Sequence, residues 1–299
     1  MKKILPFLIS IVMVIYVCLG WFFSSLIIIP WRSQPDPTAL KKYGVVEAIE
    51  VITDDNILLK GSYLKNPNDS VFCGIVTSHG WGGNRMGGAE YVPYFWKKGC
   101  DIILYDHRGH GDSGGSFGTW SIRERKDHKL FSKMLMKKSK LKVDQIGWIG
   151  KSWGAAAVLA AGSVTHDIGF ILADSPYKDI KSAVNERALR RYGNWIKIFY
   201  PITYFLVQSR AQFDINDANI EVLASKIRVP TLLIHSQSDD QTSSSQSVEI
   251  NKKLNQKYTI FHHTQWGSRH CKDMTDHPEK YEALIDDFFA KKALKWFAL

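Results

Sequence analysis

The sequence predicts an α/β fold, a mainly parallel sheet covered by helices on both faces. Three observations carry that expectation. From about Val45 onward, short apolar runs alternate with helical stretches, the order expected of βαβ units. One apolar run, Ile146–Gly150, passes through Lys151 and Ser152 into the Ala-rich segment that opens at Gly154, which reads as buried strand, sharp turn and helix. Finally, 299 residues suffice for one large α/β domain with a full core plus an appendage.

The appendage is N-terminal. Ile4–Ile29 carries no charge over 26 residues and as a helix would be about 39 Å long, enough to cross a hydrocarbon core of roughly 30 Å with tilt. No small-residue cleavage site follows, because Trp21, Phe22, Phe23 and Leu26–Ile29 continue the apolar run. An uncleaved signal anchor over 1–30 is therefore expected. Lys2 and Lys3 favour a cytoplasmic N-terminus with the rest of the chain outside. Residues 31–44, with Pro35 and Pro37, read as a short stalk leading to a domain over 45–299.

Within that domain, Val45–Thr53 and Ile57–Leu64 flank Asp54-Asp55-Asn56 as a β-hairpin. Further strands are expected at Val71–Ser78, Cys100–Tyr105, Ile146–Gly150, Ile168–Ala173, Thr231–His235 and Tyr258–His262. Helices are expected at Ile122–Lys138, after Ser152, near Ser244–Leu254 and at Pro278–Ala293. Residues 179–228 break the alternation. This stretch is too long for a simple crossover and mixes Arg187, Arg190 and Arg191 with Trp195, Phe199 and Tyr204, so it is expected to form a helical cap over the strand ends.

Ser152 lies between Gly150 and Gly154 in the G-x-S-x-G pattern of a nucleophile elbow. A turn this tight leaves little room for a Cβ at positions 150 and 154. The alternative reading, the end of a phosphate-binding loop, requires a glycine at position 145, where Gln145 stands. Other strand ends carry His79-Gly80-Trp81, Asp239-Asp240 and His270, and in open α/β sheets ligands bind beyond these carboxyl ends. The chain order Ser, Asp, His is that of α/β-hydrolases.

From about Val45 to the C-terminus the chain resembles an α/β-hydrolase, most similar to bacterial membrane-anchored serine aminopeptidase-like and esterase-like enzymes. The residues that carry the resemblance are His79–Asn84, Asp106-x-Arg108-Gly109-x-Gly111-x-Ser113, the elbow, Asp174-Ser175-Pro176, and the loops of Asp239 and His270. It implies Ser152 as nucleophile, His270 as general base and Asp239 as the acid that orients it. It also implies an oxyanion hole from the backbone N–H groups of Trp81 and Trp153, with His79 and Gly80 as supporting motif. The acid loop departs from the family pattern at Ser236, Thr242 and Ser243, which leaves Asp240 as an alternative to Asp239. His262 and His263 are read as structural, and His107 and His110 as shaping the sheet edge. A metal site from His262, His270 and Cys271 lacks a carboxylate and a recognised spacing, so no metal or cofactor is expected.

The net charge of +10 is spread along the chain apart from Lys137–Lys142. No basic-aromatic nucleic-acid motif accompanies it, and an anionic membrane is the expected beneficiary. Cys73 and Cys100 could pair if their strands are neighbours, but two buried free thiols are the expected state. The reading is thus a serine hydrolase outside the cytoplasm, acting on an ester, thioester or small amide. Acyl transfer on the same residues and a non-catalytic tethered binding domain are the alternatives. The aromatic and basic residues of 179–228 lead us to expect an amphipathic, acyl-bearing substrate.

Overall fold

Eight strands form one sheet in the computed structural model, which describes residues 4–68 and 71–297. They are β1 (Val46–Ile52), β2 (Leu58–Leu64), β3 (Gly74–Ser78), β4 (Asp101–Tyr105), β5 (Ile146–Lys151), β6 (Phe170–Asp174), β7 (Thr231–Ser236) and β8 (Thr259–Thr264). Their order is β1-β2-β4-β3-β5-β6-β7-β8. The hairpin β1–β2 and the pair β2–β4 are antiparallel. All other neighbours are parallel.

The α-helices are α1 (Ile4–Ile28), α2 (Val92–Lys97), α3 (Glu124–Ser139), α4 (Trp153–Gly162), α5 (Ile180–Tyr192), α6 (Tyr200–Ala211), α7 (Ile220–Ala224), α8 (Ser245–Lys253), α9 (Asp273–Asp276), α10 (Pro278–Lys292) and α11 (Leu294–Phe297). Successive strand residues point to opposite faces, and both faces are buried. Ile103 of β4 and Trp148 of β5 pack with Phe131 of α3 and Val158 of α4. Their neighbours Ile102 and Ile149 pack on the other face with Phe95 of α2 and Phe289 of α10. Strand β5, which leads into Ser152, is thereby central.

The region expected as a cap divides in two. Helix α5 reaches the loop after β7, where Arg190 donates to the Asp240 carbonyl and Glu186 accepts from Ser243 N, and α6 packs on α1, whereas α7 packs against α4 and α8 as part of the sheet cover. Phe213, Ile215, Ala218 and Ile220 join the main core. The reason lies in α4, whose residues are all buried. A helix apolar on every side needs partners on every side, and α7 supplies one.

Helix α1 does not stand free of the domain. Most of its first sixteen residues are exposed, but Gly20, Phe23, Ser24, Ile27 and Ile28 are buried. Gly20 meets α6 so closely that a Cβ would lie 2.7 Å from Ile202 Cγ2, the use of small residues where helices approach. Arg210 of α6 clasps the same stretch, donating to the Trp21 carbonyl and to Ser24 Oγ and Ser25 Oγ at 3.1, 2.6 and 2.8 Å. By length and composition α1 can cross a membrane. Lys2 and Lys3 lie outside the described residues.

Two expectations are corrected. The segment read as a stalk lies against the domain: Arg32 donates to the carbonyls of Gly111, Ser113 and Gly115, and Leu40 is buried. Its prolines mark an irregular path, which need not be a loose one. Cys73 and Cys100 form a disulfide instead of remaining free thiols. Strands β3 and β4 are neighbours, and Asp101 N donates to Cys73 O at 3.0 Å, so the two cysteines begin adjacent strands side by side.

A cross-link spanning 27 residues restricts the unfolded chain by about 3–4 kcal/mol. The double variant Cys73→Ser/Cys100→Ser is therefore expected to lose stability of that order, read as a lowered denaturant midpoint in detergent micelles. An unchanged midpoint contradicts it.

Candidate active site

Three backbones meet at the end of β5. Ser152 follows the strand with φ 55° and ψ −120°, and α4 begins at the next residue. A Cβ on Gly150 would lie 2.3 Å from Gly154 O, and one on Gly154 would lie 2.2 Å from Ser78 O at the end of β3. Neither contact is sterically possible, so both positions demand glycine. Ser152 N donates to Asp174 O at 2.7 Å, which fixes the turn to β6. The strain at Ser152 is held by its surroundings and projects its side chain above the sheet.

The neighbouring parallel strands deliver the other groups. His270, in the loop after β8, has Nε2 2.7 Å from Ser152 Oγ and Nδ1 2.5 Å from Asp239 Oδ2. Asp239, after β7, also accepts the backbone N–H groups of Gln241 and Thr242, each at 2.8 Å, on its other oxygen. Burial alone would raise the Asp239 pKa, but the hydrogen bonds from His235 and His270 outweigh it and hold the carboxyl well below its ordinary value. With protons on His270 Nδ1 and Ser152 Oγ, the chain Ser–His–Asp is aligned for proton transfer from the serine.

Asp240 points elsewhere. Its carboxylate takes Arg269 Nε at 2.7 Å and the backbone N–H of His270 at 3.3 Å, so it braces the histidine loop and does not meet the ring. His262 and His263 lie on β8, outside this constellation. His235 was not singled out from the sequence. Its Nε2 lies 3.0 Å from Asp239 Oδ2, and its Nδ1 lies 2.6 Å from Ser247 Oγ. The only sequence signal was its place four residues before the acid.

Gly80 passes beside the serine, where a Cβ would lie 3.4 Å from Ser152 Cβ. Trp81 follows Gly80 and Trp153 follows Ser152, so both backbones run beside the serine. Behind them sits a layer of buried rings. His79, His107 and His110 pack edge to face, and His107 and His110 also pack against Trp153. The sequence reading assigned His107 and His110 to the sheet edge. They lie instead under the loop of Gly80, where burial pushes His110 down to about 4 and lowers His79 and His107 strongly. The layer is thus neutral at ordinary pH.

Beside the site a cavity of about 340 Å³ lies between α1, α5, α6, Trp81 and Trp120, within the roughly 300–1,000 Å³ of small-molecule sites. Trp81 stacks on Trp120 and meets Trp153 edge on, so one side chain borders both cavity and elbow.

A parallel sheet in this order, with a serine on a strained strand-to-helix turn and acid and histidine on the next strand ends, decides the fold. The chain has the α/β-hydrolase fold. Residues 73–219 match the family described as serine aminopeptidase, S33. A Bacillus subtilis (strain 168) protein, "Uncharacterized protein YqkD", is 26% identical over 304 residues, covering 96% of this chain and 97% of its own length. The Pyrococcus furiosus esterase Pf2001 superposes with a TM-score of 0.70 at 21% identity, over 89% of this chain and 99% of that one. A Pyrococcus horikoshii acylaminoacyl peptidase superposes at 0.63 with 17% identity, over 87% of this chain and 44% of its own. The sequence resemblance to serine aminopeptidase-like and esterase-like hydrolases is thereby met by fold and family alike.

Two adjacent carboxylates with different partners yield a ranking. Asp239→Asn removes the acceptor that sets the His270 tautomer, and turnover of an ester is expected to fall by about 10⁴-fold. Asp240→Asn loses a solvent-exposed ion pair and is expected to fall far less. Steady-state kinetics on both variants check this, and the reverse order reassigns the acid.

Proposed function

We propose that this protein is a membrane-anchored serine hydrolase that cleaves an ester, thioester or small amide through an acyl-enzyme on Ser152. The observation that carries the proposal is the aligned contact of Ser152 Oγ, the His270 ring and Asp239 on a strained elbow. Ser152 Oγ attacks the substrate carbonyl while its proton passes to His270 Nε2. Asp239 stabilises the resulting imidazolium, and its anionic state requires no rearrangement because its hydrogen bonds are already made. The N–H groups of Trp81 and Trp153 receive the oxyanion, each such donor being worth roughly 3 kcal/mol. Collapse expels the leaving group, which takes the proton from His270, and water then repeats the sequence to release the acid.

The neutral histidine layer supports this assignment of roles. With His79, His107 and His110 uncharged, these three rings add no cation that would compete with the backbone donors or repel the imidazolium. The Cys73–Cys100 disulfide supports a catalytic domain in an oxidising compartment. Lys2 and Lys3 before the apolar helix support the same orientation.

Labelling with a fluorophosphonate probe tests the chemistry. The wild-type chain is expected to label once, and Ser152→Ala and His270→Ala are expected to lose labelling and nearly all turnover, by several orders of magnitude. Full activity in Ser152→Ala removes the mechanism, and a wild type that never labels supports a binding domain. For topology, the chain is expected to stay with membranes through a carbonate wash, and added protease is expected to reach the domain in intact cells. Protection would place the domain in the cytoplasm.

A further inference from the structure

The cavity beside the elbow has an unexpected wall. Phe22, Phe23, Leu26 and Ile27 of α1 line it opposite Val184 of α5 and Tyr204 of α6. Phe22 and Leu26 are also 53% and 50% exposed, so these residues bound the cavity without being enclosed by the domain. If α1 crosses the bilayer, roughly 20 residues are consumed by the hydrocarbon. Counted from Ile4 they end at Phe23, so the cavity wall sits where the acyl chains meet the headgroups.

The cap sits at the same level. Tyr16 donates to Ile198 O at 2.8 Å and stacks on Phe199 with ring centres 5.4 Å apart. From Tyr16 to Phe23 is about 10 Å of helix, which matches the depth to which amphipathic helices enter the interface. Cap residues on this side, Ile198 and Phe205, are 63% and 64% exposed although they are apolar. Lipid is the medium that suits them.

Charge at the cavity follows a pattern as well. Arg190 is paired with Glu186 at 3.0 Å. Arg187 and Arg191, which line the cavity, have no carboxylate partner among the described residues. Arg187 donates to the Gln241 amide at 3.0 Å, and the Arg191 guanidinium lies over the Tyr192 ring at 5.6 Å. An apolar cavity at the boundary of acyl chains and headgroups, with two cations on its lining that form no ion pair among the described residues, suits an acyl chain joined to an anionic head.

We propose that this cavity takes the acyl chain of an anionic membrane lipid sideways from the outer leaflet, with α1 as one wall and Arg187 and Arg191 meeting the headgroup. The fate of the chain rests on the serine-hydrolase reading, since Trp81 joins the cavity to the elbow; its binding does not. Helix α1 is then part of the substrate site as well as an anchor.

Binding is tested without turnover, in the full-length Ser152→Ala chain reconstituted in vesicles. The probe is a phosphatidylglycerol with a diazirine at the end of one acyl chain, and a phosphatidylcholine analogue serves as the neutral arm. Cross-links are expected on peptides spanning 22–27 and 183–204, with Arg191→Glu lowering the phosphatidylglycerol yield there by about fivefold. Cross-links confined to 4–19 overturn the proposal, and equal yields from both lipids overturn its anionic part. With Ser152 present, Val184→Trp is expected to lower the ratio of long-chain to short-chain ester turnover by about tenfold. An unchanged ratio in a chain that still labels with fluorophosphonate overturns the acyl site while leaving the hydrolase reading intact. Should Val184→Trp not fold, the cross-link map decides alone.

Discussion

The structure depends on two glycines that let backbones approach too closely for any Cβ. Gly150 lets α4 begin against β5, and Gly154 lets that helix lie on the end of β3. Because β3, β5 and α4 converge, Ser152 is forced to positive φ and cannot fold back into the turn. The carboxyl ends of β6, β7 and β8 follow in order on one side of it, and β3 supplies Gly80 on the other. Placement of every candidate group at one spot is thus a consequence of strand order around a single steric constraint.

Electrostatics follow from burial on either side of that spot. On the side of Gly80, desolvation strips the charge from three histidines, leaving a layer of neutral rings. On the side of Asp239, two histidines and two backbone donors outweigh the same desolvation and keep the carboxylate charged. The site is therefore asymmetric: a fixed anion stands behind His270, and uncharged dipoles stand where an oxyanion would form. Such an arrangement needs little reorganisation when charge develops.

The strand-turn-helix of the elbow was legible because its spacing has a steric meaning that one sequence displays. The central strands were legible because they are apolar on both faces. Adjacent Asp239 and Asp240 could not be separated by pattern, since their difference lies in which one the loop turns toward the imidazole. His235 was silent because a histidine inside a buried strand has no periodic signature. The docking of α1 was hidden by its uniform apolarity, which marks no face; Gly20 and Ser24 lie on the buried side. The disulfide depended on β3 and β4 being neighbours, which is topology and not composition.

The seating of residues 27–34 has a mechanical consequence. Trp120 Nε1 and Gly118 N bond the last carbonyls of α1, and Arg32 and Ser33 bond carbonyls in two loops beside the elbow. With Arg210 bonding the helix one turn earlier, the junction of α1 with the domain is tied at several points. If α1 is upright in a bilayer, Ser152 then stands at a set height above it, as a blade is set on a plane. Selectivity would extend beyond chemistry to elevation: of two identical bonds, only the one held at that height would be cut.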